Sequence, residues 1–214
     1  MAKVIVIGGH GKVALHLARI LTERGDRVSS VFRNPDHSGD VAATGAEPTV
    51  ADIERLDTGA LAALISGHDA VVFSAGAGGG NPERTYAVDR DAAIRVIDAA
   101  ARAGVQRFVM VSYFGAGPDH GVPQGDPFFP YAEAKAAADA HLRDSDLDWT
   151  VLGPGRLTLE PATGKITVGE KGKGEVSRAD VALVAAAALA DDSTIRRTIE
   201  FNNGDIPIAD ALAG

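Results

Sequence analysis

A run of β-branched residues at positions 4–7 gives way without a linker to Gly8-Gly9-His10-Gly11-Lys12, and apolar residues then recur at Val13, Leu17, Ile20 and Leu21. The first run reads as a strand buried on both faces, as in a parallel sheet, and the second spacing is helical. Gly9-x-Gly11-x-x-Ala14 fits the G-x-G-x-x-G/A dinucleotide fingerprint, and Gly8-x-x-Gly11 fits the looser glycine spacing of a related class. Glycine is needed there because a Cβ would hold a pyrophosphate away from the backbone amides, which form an anion site with the positive end of the helix dipole. A tight turn in an unrelated βα unit would show the same glycines. The strand before and the helix after select the dinucleotide reading. Gly8, Gly9, His10, Gly11, Lys12 and Val13 are therefore expected to border a cofactor.

The rest of the chain repeats this alternation. Strands are expected at 28–32, 45–52, 69–74, 107–112, 149–152 and 198–201. Helices are expected at 58–65, 86–103, 131–143 and 179–189, the last opened by a Ser177-x-x-Asp180 capping box. Residues 75–80 read as a glycine loop and 115–130 as a Gly/Pro-rich loop, a lid or substrate wall bearing Phe128 and Phe129. The alternating Gly and Lys of 165–174 reads as an exposed hairpin. Alternation throughout predicts a doubly wound, mostly parallel sheet, the three-layer α/β/α Rossmann fold, in one domain spanning 1–214.

The 214 residues carry a net charge of −8, which argues against nucleic-acid binding through displaced counterions. A hydrophobic share of 45% without a membrane-length apolar run, and an N-terminus opening on a strand, lead us to expect a cytoplasmic protein away from membranes. With no cysteine, disulfides, thiol nucleophiles and thiolate metal sites are excluded, and the six histidines lack metal-ligand spacing, so no metal is expected. The expected partner is a small-molecule substrate, the expected assembly a monomer or homodimer.

Two further features carry chemistry. NAD-selective sites place an acid about twenty residues beyond the glycines, at the end of the second strand. Phe32-Arg33-Asn34 stands there instead, and the Arg33 guanidinium suits a 2′-phosphate, with Lys12 adding charge. NADP is the expected cofactor, with NAD possible. Tyr131 and Lys135 are spaced i, i+4 and share a helix face. The ammonium is expected to lower the phenol pKa toward working pH, making Tyr131 a proton donor to a carbonyl that receives hydride.

The ordered set of Gly8 to Gly11, Arg33, Asp52, Ser74-Ala75-Gly76, Val111-Ser112, Tyr131-x-x-x-Lys135 and Pro154-Gly155 resembles the short-chain dehydrogenase/reductase superfamily over essentially the whole chain. It is most similar to the atypical single-domain branch of epimerase-like and flavin/biliverdin-reductase-like NAD(P)H-binding proteins. The resemblance implies a strand order 3-2-1-4-5-6-7, Asp52 and Ile53 near adenine, Ser74, Ala75 and Gly76 beside the ribose, and Pro154 and Gly155 near nicotinamide. It also implies catalytic roles for Ser112, Tyr131 and Lys135, with Lys135 orienting the ribose and Ser112 holding the substrate oxygen.

Three departures stand out. Tyr113 occupies the second of two positions that often both carry hydroxyls, so either Ser112 or Tyr113 fills the catalytic register, and Tyr113 is placed near the cofactor. Gly153 replaces a common arginine. The chain is also too short for the further substrate domain of extended nucleotide-sugar epimerases. The expectation is an NADPH-linked reductase of a small carbonyl, quinone or flavin-like acceptor. The rivals are a non-catalytic NADP(H) sensor and, behind it, a nucleotide-sugar epimerase/dehydratase-like enzyme.

Overall fold

The protein is described by a computed structural model over residues 1–78, 80–169 and 174–213. Gly79 of the glycine loop, and Lys171 and Lys173 of the Gly/Lys stretch, lie outside the described residues.

The strands are β1 (Lys3–Ile7), β2 (Arg27–Phe32), β3 (Glu47–Val50), β4 (Ala70–Phe73), β5 (Arg107–Val111), β6 (Asp148–Pro154), β7 (Arg156–Thr158), β8 (Lys165–Val168), β9 (Glu175–Ser177), β10 (Arg197–Asn203) and β11 (Ile206–Pro207). The helices are α1 (Lys12–Glu23), α2 (Ser38–Ala42), α3 (Thr58–Ile65), α4 (Pro82–Thr85), α5 (Ala93–Ala103), α6 (Phe129–Arg143), α7 (Arg178–Ala190) and α8 (Ile208–Leu212), with a π-helical stretch, Tyr86–Ala92, joining α4 to α5. The main sheet runs β11-β8-β10-β6-β5-β4-β1-β2-β3. From β3 to β10 every pairing is parallel. This is the expected order, its seventh strand being β10.

Side chains alternate across the sheet, so each strand feeds two cores. Val4, Val6, Val28, Phe32, Val72 and Phe201 pack with α1, α7 and α8 on one face. Ile5, Ile7, Val31, Phe73, Phe108 and Met110 pack with α3, α5 and α6 on the other. Two covered faces make the three layers. No helix among the described residues is long and apolar enough to cross a membrane.

Of the expected hairpin at 165–174, residues 170–173 lie outside the described residues. On either side of them, Lys165–Val168 pairs antiparallel with β10 and β11, burying Ile166, while Glu175–Ser177 joins β7 in a separate two-stranded sheet. The glycine and lysine spacing could not show those long-range partners. Half of the capping box forms, because the Ser177 amide donates to Asn203 Oδ1 and not to the Asp180 carboxylate. Ser177 Oγ accepts from the Asp180 amide at 2.9 Å and starts α7, and the Asp180 carboxylate accepts from the amides of Thr163 and Gly164 and from Asn203 Nδ2.

Candidate functional site

The glycine turn divides its labour. Gly8 has a φ of +87°, and a Cβ there would lie 2.5 Å from Ala75 Cα; a Cβ on Gly9 would lie 2.6 Å from Ser30 Cβ. These two glycines let β1 pass close to its neighbours. Their amides are not free for a ligand, since both donate to Val31 O, and the Gly11 amide donates to Gly8 O. The amides of His10, Lys12, Val13 and Ala14 make no hydrogen bond among the described residues, and no side chain caps α1. An uncapped helix start with open amides behind a glycine cradle fits a pyrophosphate. Val13 is buried in the core and offers backbone rather than side chain, whereas the Lys12 side chain is exposed.

In front of these amides lies a cleft of about 310 Å³ lined by Gly8, His10, Gly11, Arg33, Asp52, Ile53, Ser74, Ala75 and Gly76. It sits at the carboxyl ends of β1 to β4, where strand order reverses between β1 and β4, the switch point at which doubly wound sheets bind ligands. Gly9, Lys12, Val13, Tyr113, Pro154 and Gly155 do not line it. The Gly155 amide donates to Phe201 O, and a Cβ at Gly155 would lie 2.7 Å from Gly174 O, so close strand packing already requires that glycine.

Residues that carried no sequence motif complete the cleft. Glu54 Oε1 accepts from Arg33 Nη1 at 3.0 Å and from Arg84 Nη2 at 3.4 Å, and Arg84 Nη1 donates to Ala77 O at 3.0 Å. The His10 ring stacks on His37 with centroids 3.6 Å apart, and its Nε2 lies 3.0 Å from Asp40 Oδ2.

Beyond the cleft, α6 presents Tyr131, Lys135 and Asp139 at successive turns. Lys135 is 1% exposed and its Nζ donates to Val111 O at 2.6 Å. Asp139 is fully buried and accepts from Ser112 Oγ at 2.5 Å. Asp89, brought in by the π-helical stretch, accepts from the Ala77 amide at 3.0 Å. Burial raises the pKa of both carboxylates and lowers that of Lys135, while the opposite charges of the three partly offset it.

The expected fall in the Tyr131 pKa does not occur. Burial, and then the carboxylates of Asp89 and Asp139, raise it. The i, i+4 spacing reveals the ammonium but not the two carboxylates that fold around it. Tyr113 is pushed up to about 12 by burial and by Asp139 and Glu133, and its buried hydroxyl has no hydrogen-bond partner among the described residues. The rings of Tyr113, Phe128 and Tyr131 lie 5.1–5.6 Å apart and form an aromatic wall, with Phe128 43% exposed. Asp139, at i+4 from Lys135, could have been found by extending the Tyr131–Lys135 spacing one turn. Glu54 and Arg84 carried no local signal.

Residues 8–192 match the family described as NAD(P)H-binding. A Bacillus subtilis relative named as an uncharacterized sugar epimerase, YhfK, is 35% identical over 213 residues, covering 98% of each chain. Among solved structures, a Bacillus halodurans protein described as an NAD-dependent epimerase/dehydratase is 34% identical with a TM-score of 0.91, covering 100% of this chain and 99% of that one. The oxidoreductase ylbE of Lactococcus lactis is 27% identical with a TM-score of 0.88, covering 99% of this chain and 95% of that one. The glycine cradle, the open amides and the cleft at the switch point agree with these similarities: the chain belongs to the NAD(P)H-binding family, with structural neighbours in the NAD-dependent epimerase/reductase superfamily.

Proposed function

We propose that this protein is an NADPH-linked reductase of a small conjugated acceptor, a carbonyl, quinone or flavin-like molecule. The observation that carries the reading is Tyr131, whose hydroxyl makes no hydrogen bond among the described residues and stands one turn from buried Lys135. Its raised pKa keeps the phenol protonated, so the proton to be donated is present at neutral pH. Bound NADPH supplies the hydride. In carbonyl reduction the substrate carbon gains that hydride and its oxygen takes the Tyr131 proton. Lys135 then faces the phenolate, which solvent reprotonates. The Tyr113 hydroxyl, which has no partner among the described residues, is suited to donate to the same oxygen, while Ser112, committed to Asp139, positions α6 against β5.

Cofactor selection rests on Arg33, with no acid at the end of β2. The aromatic wall favours a flat acceptor over a sugar, whose hydroxyls need polar partners. The B. subtilis relative's name supports a second reading, a sugar epimerase. An NADPH-oxidation screen with quinones, flavins and aldehydes tests the proposal, and a nucleotide-sugar arm followed by product analysis tests the alternative. Net NADPH consumption with one acceptor class is expected. Sugar interconversion without net consumption supports the epimerase. Tight NADPH binding with turnover in no arm makes the protein a sensor.

A further inference from the structure

We propose that Glu54 is an internal stand-in for a phosphate monoester, holding a two-guanidinium site closed and setting the choice between dinucleotides with and without a 2′-phosphate. This inference rests on the cofactor reading above.

Glu54 follows β3 and Arg84 belongs to α4, which follows β4. In the sheet these strands are separated by β1 and β2, so a Glu54–Arg84 contact reaches across the ends of both. All three residues of the cluster line the cleft. One carboxylate oxygen, Glu54 Oε1, takes Arg33 Nη1 at 3.0 Å together with Arg84 Nε and Nη2 at 3.4 Å each. Its Oε2 has no hydrogen bond among the described residues.

That arrangement underuses the donors. Two forked guanidiniums are shared over a single oxygen of a monoanion, and the Arg84 contacts are long. A phosphate monoester carries nearly two negative charges and three acceptor oxygens, so it can satisfy each fork separately. The side chains of Arg33 and Arg84 remain 53% and 39% exposed, leaving room for an incoming group. With NADP bound, the 2′-phosphate displaces Glu54 and both arginines hold it. With NAD bound, the Glu54 carboxylate stays between the arginines and faces the ribose hydroxyls. The acid missing from the end of β2 is in this way supplied from beyond β3, in a position from which it can be displaced.

The test is calorimetric titration of NADP, NAD and 2′,5′-ADP into wild type, Glu54→Gln, Arg84→Gln and Arg84→Lys, with unfolding curves to confirm that each variant is folded. Glu54→Gln keeps size and polarity but removes the competing charge. Its NADP-over-NAD preference should rise at least about tenfold, with tighter 2′,5′-ADP binding. Arg84→Gln should weaken NADP and 2′,5′-ADP by about tenfold or more and NAD by under about threefold, while Arg84→Lys should recover only part of the loss. If wild type binds both dinucleotides and Glu54→Gln leaves the ratio within a factor of about two, the inference fails alone. Equal weakening of NADP and NAD in Arg84→Gln also overturns it. Wild type that binds neither dinucleotide overturns the cofactor reading and this inference together.

Discussion

Ser112 donates its hydroxyl proton to Asp139 across 2.5 Å, joining the end of β5 to the middle of α6 in a place water does not reach. A hydroxyl has one proton to give, and this one is committed. Ser112→Ala should therefore act first on stability, costing about 1–3 kcal/mol because Asp139 loses its donor while its Oδ1 already has none. Tyr113→Phe should do the reverse. It removes an oxygen that has no partner among the described residues, so folding should hold and turnover should fall roughly tenfold or more. Denaturant midpoints and kcat/KM for both variants check the pair.

Tyr131→Phe keeps the ring in the aromatic wall and deletes the transferable proton. Carbonyl turnover should drop by about 10²–10⁴-fold with little change in NADPH dissociation constant. A quinone or flavin acceptor, which needs no acid from the protein, should suffer less. Lys135→Met should damage the fold itself, by about 3–5 kcal/mol, because Asp89 and Asp139 are left as buried carboxylates without their shared cation. Single-turnover hydride transfer and urea unfolding separate the two effects.

The glycines of the turn should fail in different ways. Gly8→Ala combines a left-handed backbone with a Cβ 2.5 Å from Ala75 Cα, and strain plus overpacking should cost about 2–5 kcal/mol. Gly11 has a φ of −60°, and its nearest obstacle to a Cβ is Gly8 O at 3.2 Å. Gly11→Val should fold, yet place a branched side chain at the mouth of the open amides and abolish cofactor binding. Thermal unfolding with and without NADP distinguishes the outcomes.

Asp180 ties α7 to the segment before β8. Burial alone would raise its pKa, but the amides of Thr163 and Gly164, the side-chain amide of Asn203 and the Ser177 hydroxyl pull it below the ordinary carboxylate value. A depressed folded pKa gives stability that is present above the unfolded value and is lost as pH falls through the folded one. Wild type should lose stability progressively on acidification below about pH 5. Asp180→Asn should be weaker by about 1–3 kcal/mol at neutral pH and show a flatter acid limb. Urea midpoints measured across this range test the sign.

The parts of this structure legible in sequence are those written locally. Residues 4–21 specify strand, turn and helix by spacing alone, and α3 begins and ends where its spacing does. Arg33, Asp52 and Ser74 reach one cleft because each follows a parallel strand, which topology guarantees once the strands are known. What could not be read depends on contacts far apart in the chain. Glu54 meets Arg84 across 30 residues, and Ser112 meets Asp139 across 27. The phenol of Tyr131 was misjudged for the same reason: Asp89, 42 positions earlier by number, lies beside it only after folding. The antiparallel partner that Lys165–Val168 finds in β10 is equally distant in the chain and left no local signal.

The wide helical stretch Tyr86–Ala92 sets a phase between the two ends of what is otherwise one helix. A regular α-helix advances about 100° per residue, so each residue's direction is fixed by counting from either end. A π turn breaks that count, letting α5 keep Val96 and Ile97 in the core while Arg84, upstream, points at the cleft. A π turn spends about one extra residue on the same rotation, so deleting a single residue within 86–92 would restore ordinary pitch and leave Arg84 and α5 nearly in phase. The carboxylate of Asp89, carried by the widened turn itself, would leave the Ala77 amide. A change of one in chain length at this place would take a charge out of the buried cluster beneath the aromatic wall while leaving the cofactor cleft in place.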